Sequence, residues 1–179
     1  KGFDDKGRPE VIPGNEPTLE GNDQVWPGVD GAANWMSHSY SPIEKLLYTF
    51  AREERRVFTK NAVRHPTTAA DEGDFNFPRG YIRRQRGPRF APEESWGKVM
   101  AIDPLTGLTK WEHKVVSPPW GGVMATAGGL VFGGTLEGVV FALDAHSGKR
   151  LWHFMGNDRV YSSPISFLSN GKQLVSLPV

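Results

Sequence analysis

The sequence predicts an all-β protein and, more narrowly, part of a β-propeller. Two observations support this prediction. The chain has 21 Gly, 14 Pro and 6 Trp among its 179 residues, and frequent turn residues and aromatics without a sustained helical period favour many short strands. One segment of the chain also repeats after 41 residues, and periods of about 20 to 50 residues are typical of solenoids and propellers.

The repeat consists of residues 101–111 and 142–152, which align without a gap. An apolar, strand-like run leads into each copy, and an Asp is followed by a Gly four residues later. The Asp side chain can accept backbone N–H groups and the Gly can adopt a positive φ, so this spacing predicts a tight turn between two strands. The copies end on Trp111 and Trp152, whose flat indoles suit packing between neighbouring sheets.

A weaker copy lies earlier in the chain. Leu46–Tyr48 precedes the similar Leu130–Phe132 by 84 residues, about twice the period. Trp35 precedes Trp120 by 85 residues, which predicts comparable places for these two indoles in two blades. We therefore expect a single partial propeller domain over residues 1–179, with an approach loop at 1–30, the start of a blade at 31–50, an inserted loop at 51–95, and one full blade with parts of its neighbours at 96–179.

Composition and charge narrow the possible functions. The formal net charge is +1, which gives no electrostatic reason to expect a nucleic-acid partner, and no apolar run approaches the length of a membrane span. The inserted loop is basic, with ten Arg or Lys against five Asp or Glu between residues 51 and 90, a pattern typical of a solvated surface. Without Cys the chain has no disulfide or thiolate metal site, and its five His show no metal-ligand spacing. Both ends look cut, so we expect a fragment of a longer protein.

Three stretches carry a resemblance to a known family. The longest is residues 120–138, which begins Trp-Gly-Gly-Val-Met-Ala-Thr-Ala-Gly-Gly and runs on into the second copy of the repeat. The others are residues 31–42, with Gly-Ala-Ala-Asn-Trp, and residues 2–9. All three resemble the pyrroloquinoline quinone (PQQ)-dependent alcohol and methanol dehydrogenases, which are eight-bladed quinoprotein propellers. The repeat itself resembles that family's tryptophan-docking motif.

The resemblance implies an oxidoreductase chemistry. In the family, PQQ lies in the central channel beside a calcium or lanthanide ion, which polarises a quinone carbonyl while a carboxylate removes the alcohol proton. The cofactor thus supplies the redox chemistry, and the protein positions and polarises the cofactor. For the parent of this chain the resemblance implies a small alcohol or polyol substrate, a cytochrome c or quinone as electron acceptor, and a periplasmic location.

The resemblance also implies which residues bind PQQ. Asn34 matches the Asn whose amide reaches the quinone oxygens, a role that suits a donor that does not titrate. Trp120 matches the Trp at the edge of the PQQ pocket, and Trp35 adjoins Asn34. His38 lies four residues after Asn34, but a surface or packing role is the default reading for this His. Trp111 and Trp152 are predicted to serve packing alone.

No catalytic residue and no metal ligand is expected in this chain. The resemblance places the metal-binding Glu, Asn and Asp and the catalytic Asp upstream of residues 2–9, so we expect the isolated chain to be inactive. Another class of function is open to the same fold: a non-catalytic scaffold, such as the outer-membrane assembly lipoproteins that share PQQ-like repeats. The segments around Asn34 and Trp120 favour the enzyme, because a scaffold has no need of a cofactor pocket.

Overall fold

The computed structural model describes residues 2–10, 12–14, 18, 25–28, 30–55, 58–60, 82–84 and 95–178, which form β-strands and no helix. The prediction of an all-β fold is confirmed. The strands are β1 (Ser39–Ser41), β2 (Leu46–Glu54), β3 (Phe58–Lys60), β4 (Ile82–Arg84), β5 (Ser95–Ile102), β6 (Thr109–Val115), β7 (Met124–Ala125), β8 (Leu130–Gly134), β9 (Val139–Asp144), β10 (Arg150–Met155), β11 (Ile165–Ser169) and β12 (Lys172–Ser176).

The chain divides into two compact units. One consists of residues 1–26 and 55–89, and the other of residues 27–54 and 90–179. In the first unit, β3 and β4 pair in antiparallel orientation, and Phe3 bridges Pro9 around a turn. Asp4 closes that turn by accepting the backbone N–H groups of Lys6 and Arg8 at 2.9 Å. The hydrogen bonds from Arg8 hold the pKa of the Asp4 carboxyl below its usual value.

The first blade is the four-stranded antiparallel sheet β1-β2-β5-β6 in the second unit. Its two central strands pair from Leu47 opposite Ile102 to Glu54 opposite Ser95. β2 therefore extends four residues into the range expected to be insertion. The intervening segment leaves the blade at Glu54 and returns to it at Ser95, between two strands that are hydrogen-bonded to each other.

The second blade is the sheet β10-β9-β8-β7, again antiparallel and in simple meander order. It is followed by the hairpin β11-β12, which has the place of the first two strands of a third blade. Asn170 and Gly171 at its tip both have positive φ, 48° and 73°. Two consecutive residues of this kind form the type I′ turn, whose twist matches that of the strands it joins.

The core lies between the two four-stranded sheets. β2 and β5 contribute Tyr48, Phe50 and Val99, and the facing sheet contributes Phe141 and Leu143, each at most 2% exposed. The rings of Phe50 and Phe141 meet edge to face, with centroids 6.2 Å apart. The period of two in each strand thus places its large apolar residues at the boundary between the blades.

The two copies of the repeated motif meet at this boundary. Trp111 of the first copy lies against Gly148 of the second and donates its Nε1–H to the carbonyl of Ala145 at 3.1 Å. The buried hydroxyl of Tyr48 donates to the same carbonyl at 2.9 Å, and burial raises the pKa of Tyr48 to about 12. Trp152, at the end of the second copy, is 50% exposed, and the described residues contain no third copy to receive its indole.

Candidate functional site

The segments that precede the first strands of the two blades and of the following hairpin converge. They are residues 35–38 before β1, 119–123 before β7 and 160–164 before β11. Val123 donates its backbone N–H to the carbonyl of Ser37 at 3.0 Å. A Cβ on Gly122 would lie 2.8 Å from Ser37 O and 2.3 Å from Ser163 Oγ, and one on Gly121 would lie 2.5 Å from Ser162 O. The Gly-Gly pair is therefore required for close backbone packing, since any side chain would separate the three segments.

Asn34 immediately precedes the first of these segments and is exposed. Its Oδ1 accepts the backbone N–H of Trp35 at 2.8 Å, and its Nδ2 donates to the carbonyl of Asp30 at 3.0 Å. Because a backbone N–H can only donate and a carbonyl can only accept, these two bonds fix which end of the amide is which. The second hydrogen on Nδ2 has no acceptor within the described part of the chain, so the amide is oriented and still has one donor to offer.

The two tryptophans differ in exposure. The indole of Trp35 is 67% exposed, and that of Trp120 is half-buried. Each lies four residues before the first strand of its blade, so the predicted equivalence of their places in the two blades matches the strand order. Ser37 and Gly122, each two residues farther along, are in contact, which brings the predicted cofactor-binding residues Asn34, Trp35 and Trp120 onto neighbouring segments of one unit.

Arg52 is a residue of this region that the sequence reasoning missed. It is 2% exposed, and its guanidinium carbon lies 3.8 Å from the centroid of the Trp120 ring. Nη1 donates to the carbonyl of Pro119 at 2.7 Å, and Nη2 donates to Glu54 Oε2 at 2.6 Å. Arg52 lies on the same face of β2 as Tyr48 and Phe50, and the strand is buried on both faces from Tyr48 to Arg52.

His38 hydrogen bonds to the neighbouring strand. Its Nδ1 lies 2.7 Å from the hydroxyl of Thr49, and that hydroxyl also bonds to the carbonyl of Phe50 at 3.0 Å. Since the hydroxyl has one proton and the carbonyl can only accept, this arrangement calls for a proton on His38 Nδ1. The ring is exposed and helps to fix the segment before β1 to β2.

No group of three His, Cys, Asp or Glu that could hold a metal ion occurs among the described residues. The acidic residues of the repeat stabilise turns instead. Asp144 accepts the backbone N–H and the hydroxyl of Ser147, both at 2.7 Å, and Asp103 accepts the N–H of Leu105 at 3.0 Å. Three acidic residues that lie close together in the sequence, Asp71, Glu72 and Asp74, fall outside the described residues. No helix able to cross a bilayer was found in the described ranges.

Comparison with known proteins identifies the family to which this fold and the segments at this site belong. Residues 12–175 match the model of the "PQQ: Glucose/ethanol/alcohol dehydrogenase, beta-propeller domain". The chain belongs to this PQQ dehydrogenase propeller family. The predicted resemblance to quinoprotein alcohol dehydrogenases, which was based on residues 2–9, 31–42 and 120–138, is thereby confirmed.

The curated relatives of this PQQ propeller chain include several alcohol dehydrogenases. The quinoprotein alcohol dehydrogenase PedH of Pseudomonas putida is 32% identical over 182 residues, which cover 98% of this chain and 29% of PedH. The quinoprotein ethanol dehydrogenase of Pseudomonas aeruginosa is 34% identical over 97% of this chain and 27% of its own length. The 1-butanol dehydrogenase (cytochrome c) of Thauera butanivorans is 31% identical over 99% of this chain and 26% of its own length.

Solved structures of the same family share the fold. The quinohemoprotein alcohol dehydrogenase of Comamonas testosteroni superposes with a TM-score of 0.75 and 26% identity over 98% of this chain and 26% of that one. A europium-containing methanol dehydrogenase gives a TM-score of 0.76 and 25% identity over 97% of this chain and 29% of that one. The PQQ propeller chain thus spans less than a third of the length of each of these proteins, and the prediction of a partial propeller is confirmed.

Proposed function

We propose that the protein to which this chain belongs is a PQQ-dependent dehydrogenase of alcohols or polyols, and that residues 31–38 and 120–123 form one wall of its cofactor pocket. The observation that carries the proposal is the contact between these segments, made by the Val123 N–H on the Ser37 carbonyl at 3.0 Å. The two stretches that resemble the family's pocket are distant in sequence and neighbours in space.

Asn34 is proposed to bind the quinone oxygens. Its amide is held in one orientation by Asp30 and Trp35, which removes the cost of orienting it when the ligand arrives. The unused hydrogen on Nδ2 is a neutral donor, and a preset donor of this kind stabilises negative charge that develops on an oxygen during reaction. The open donor at Asn34 beside the exposed ring of Trp35 is the feature of this chain that fits a flat quinone.

Trp35 and Trp120 are proposed to bound the pocket. An indole offers a large apolar surface at a small cost in conformational entropy, and a flat ligand would cover the exposed ring of Trp35. Bound between these residues, PQQ would supply the hydride acceptor for oxidation of the alcohol. The role of this chain is then to bind and orient the cofactor and to exclude water from one of its sides.

The rest of the catalytic apparatus is proposed to lie upstream of this chain. As the resemblance to the family implies, we assign the metal ligands and the catalytic carboxylate to the preceding part of the parent protein. A cytochrome c is the proposed electron acceptor, in keeping with the name of the Thauera relative, and a quinone is the alternative. A periplasmic location is proposed from the family.

The test uses the full-length gene product. After reconstitution with PQQ and either Ca²⁺ or La³⁺, we expect alcohol-dependent reduction of a cytochrome c or an artificial electron acceptor. Asn34→Ala should lower this turnover by roughly 100-fold, the effect of losing one preset oxyanion donor. Asn170→Gly is the matched control, because Asn170 lies in the β11-β12 turn with a φ of 48°, and it should leave turnover unchanged.

Three results would contradict the proposal. If the full-length protein neither binds PQQ nor oxidises any alcohol, it is better described as a non-catalytic propeller scaffold. If Asn34→Ala has the kinetics of the unaltered enzyme, Asn34 has no role at the cofactor. The isolated 179-residue chain should be inactive with PQQ and Ca²⁺, and alcohol oxidation by this chain alone would contradict the assignment of the metal ligands to the upstream part.

A further inference from the structure

We propose that Arg52 is a positioning residue that holds the Trp120 side of the cofactor pocket in register with the Asn34 side. The inference rests on the proposed function, since the pocket is the one proposed above. Arg52 lies on β2 and contacts both segments. Its backbone N–H donates to the carbonyl of Ala32 at 2.6 Å, two residues before Asn34, and its guanidinium carbon lies 3.8 Å from the centroid of the Trp120 ring.

The contacts of the guanidinium explain why the residue is Arg. Its planar group stacks on the indole while Nη1 donates to the carbonyl of Pro119 at 2.7 Å and Nη2 donates to Glu54 Oε2 at 2.6 Å. A Lys ammonium at this position would supply charge without a flat face, and it could not make the stack and both directed hydrogen bonds together. Arg52 therefore fixes Trp120 through its ring and through the carbonyl of the preceding residue.

The burial of Arg52 strengthens its contact with Trp120 and also has an energetic cost. Arg52 is 2% exposed, so the stack is desolvated and stronger than it would be at a surface. The Nε–H is buried and has no acceptor in the described part of the chain. A buried donor without an acceptor is energetically costly. The fold bears this cost while it holds the guanidinium over Trp120.

The backbone on both sides of Trp120 is also held in place by close packing. The preceding residue, Pro119, is fully buried, and a Cβ on Gly97 of β5 would lie 2.3 Å from Pro119 Cδ. Gly121 follows and touches the Ser162 backbone. With the chain fixed on both sides, the remaining freedom of Trp120 is the rotation of its side chain, which the Arg52 guanidinium restricts by covering one face of the ring.

The consequence is that PQQ affinity depends on Arg52 through Trp120. A pocket wall that is already ordered loses less entropy when the ligand binds, and loss of Arg52 would let the indole take other rotamers. We expect Arg52→Met to weaken PQQ binding by about tenfold, equivalent to about 1.4 kcal/mol. Arg52→Lys should recover less than half of this loss on a logarithmic scale, because it restores the charge and lacks the planar group.

The experiment is a double-mutant cycle on the full-length apoenzyme. The dissociation constant of PQQ is measured by titration calorimetry with Ca²⁺ or La³⁺ present for the unaltered protein, Arg52→Met, Trp120→Ala and the double variant. If Arg52 acts through Trp120, Arg52→Met weakens binding in the unaltered background and has no further effect once Trp120 is Ala. The thermal midpoint of unfolding is recorded for every variant.

Lys98→Met is the matched control. Lys98 is a partly buried cation on β5 that pairs with Glu53 and Glu112 at 3.2 and 2.9 Å, and its loss should lower stability without weakening PQQ binding. If Arg52→Met does not fold, the variant Arg52→Met with Glu54→Gln removes both charges of this partly buried ion pair and replaces Arg52→Met in the cycle.

The outcomes separate this inference from the proposed function. An unaltered protein that does not bind PQQ overturns the proposed function, and the inference with it. If the unaltered protein binds PQQ and Arg52→Met lowers the thermal midpoint alone, Arg52 is structural and the inference is wrong. A tenfold loss that persists in the Trp120→Ala background also overturns it, because Arg52 would then act by another route.

Discussion

Trp111 of the first blade lies against Gly148 of the second, where a Cβ would come within 2.5 Å of the ring atom Cε3. Gly107 has the same place in the first copy of the motif and nearly the same φ, 72° against 71°, yet a Cβ there would meet nothing within 4 Å. The motif is therefore a junction between these two blades: the Trp of the first copy packs on the turn of the second.

Gly148→Ala should lower the free energy of unfolding of the full-length protein by roughly 2 to 4 kcal/mol, because it adds overpacking against the Trp111 ring to the cost of a positive φ. Urea denaturation measures the loss. Gly171→Ala is the control, since Gly171 has a φ of 73° with open space around it, and it should cost only the backbone part, about 1 kcal/mol. Equal losses in the two variants would contradict the docking of Trp111 on this turn.

Tyr48→Phe should cost about 1 kcal/mol of stability, the value of one buried hydrogen bond. The Ala145 carbonyl keeps its bond from Trp111 Nε1 at 3.1 Å, so no acceptor is left without a partner. Tyr40→Phe is the control, because Tyr40 is 51% exposed, and it should be neutral. A loss in Tyr48→Phe no larger than that in the control would exclude a stabilising bond at Ala145.

The same tyrosine should make stability sensitive to alkali. Burial raises the pKa of Tyr48 from 10.0 to about 12, so its contribution is complete below the unfolded value of 10.0 and is lost as the pH rises through about 12. Phenolate absorbance in the folded protein should show one tyrosine that ionises only at a pH of about 12. If Tyr48→Phe leaves both that titration and the alkaline stability unchanged, the late group is another tyrosine.

Asp144→Asn should make stability less dependent on pH in acid. Hydrogen bonds from the hydroxyl and backbone N–H of Ser147 hold the pKa of the Asp144 carboxyl below its usual 3.8. A lowered folded-state pKa stabilises the protein above the unfolded value and loses that contribution as the pH falls through the folded value. Unfolding free energies from about pH 7 to about pH 2 test this, with Asp158→Asn as the exposed control.

His113→Phe should flatten the pH dependence at mildly acidic pH. Burial, with a smaller effect of the Arg150 charge, lowers the pKa of His113 below 6.5, so the unfolded chain takes up a proton before the folded one does. Stability contributed by the neutral ring is therefore complete above 6.5 and is lost as the pH falls below it. His153→Phe, at an exposed position on β10, is the comparison variant, and a slope that His113→Phe changes no more than His153→Phe does would mean that His113 is not the titrating group.

Local patterns of the sequence were sufficient to predict the blade architecture. The Asp-to-Gly spacing of the motif and the Asn170-Gly171 pair describe turns that a few consecutive residues determine. The partners of Trp111 and Arg52 could not be predicted in the same way, because Gly148 and Trp120 lie 37 and 68 residues farther along the chain. Their contacts depend on how two sheets pack, which the register of each strand does not specify.

At the candidate site, too, only some of the residues could be predicted from the sequence. The sequence predicted Asn34, Trp35 and Trp120 from stretches that resemble a family, and the structure places them on neighbouring segments. The burial of Arg52 was harder to predict, because a charged residue near the end of an apolar strand is usually exposed. Here the segment of Pro119 and Trp120, which is distant in sequence, packs over its guanidinium. Whether PQQ contacts these residues stays a prediction for the titrations described above.

The pairing of Glu54 with Ser95 has a consequence for how this protein can change. The two residues face each other at the end of a hydrogen-bonded ladder, and opposite residues in such a ladder lie about 5 Å apart. A two-residue hairpin turn can close that gap, and so can a segment of any greater length, at an entropic cost that grows only slowly with length. This end of the blade is therefore an exchange point, where whole segments can be gained, lost or replaced by recombination while both blades keep their register.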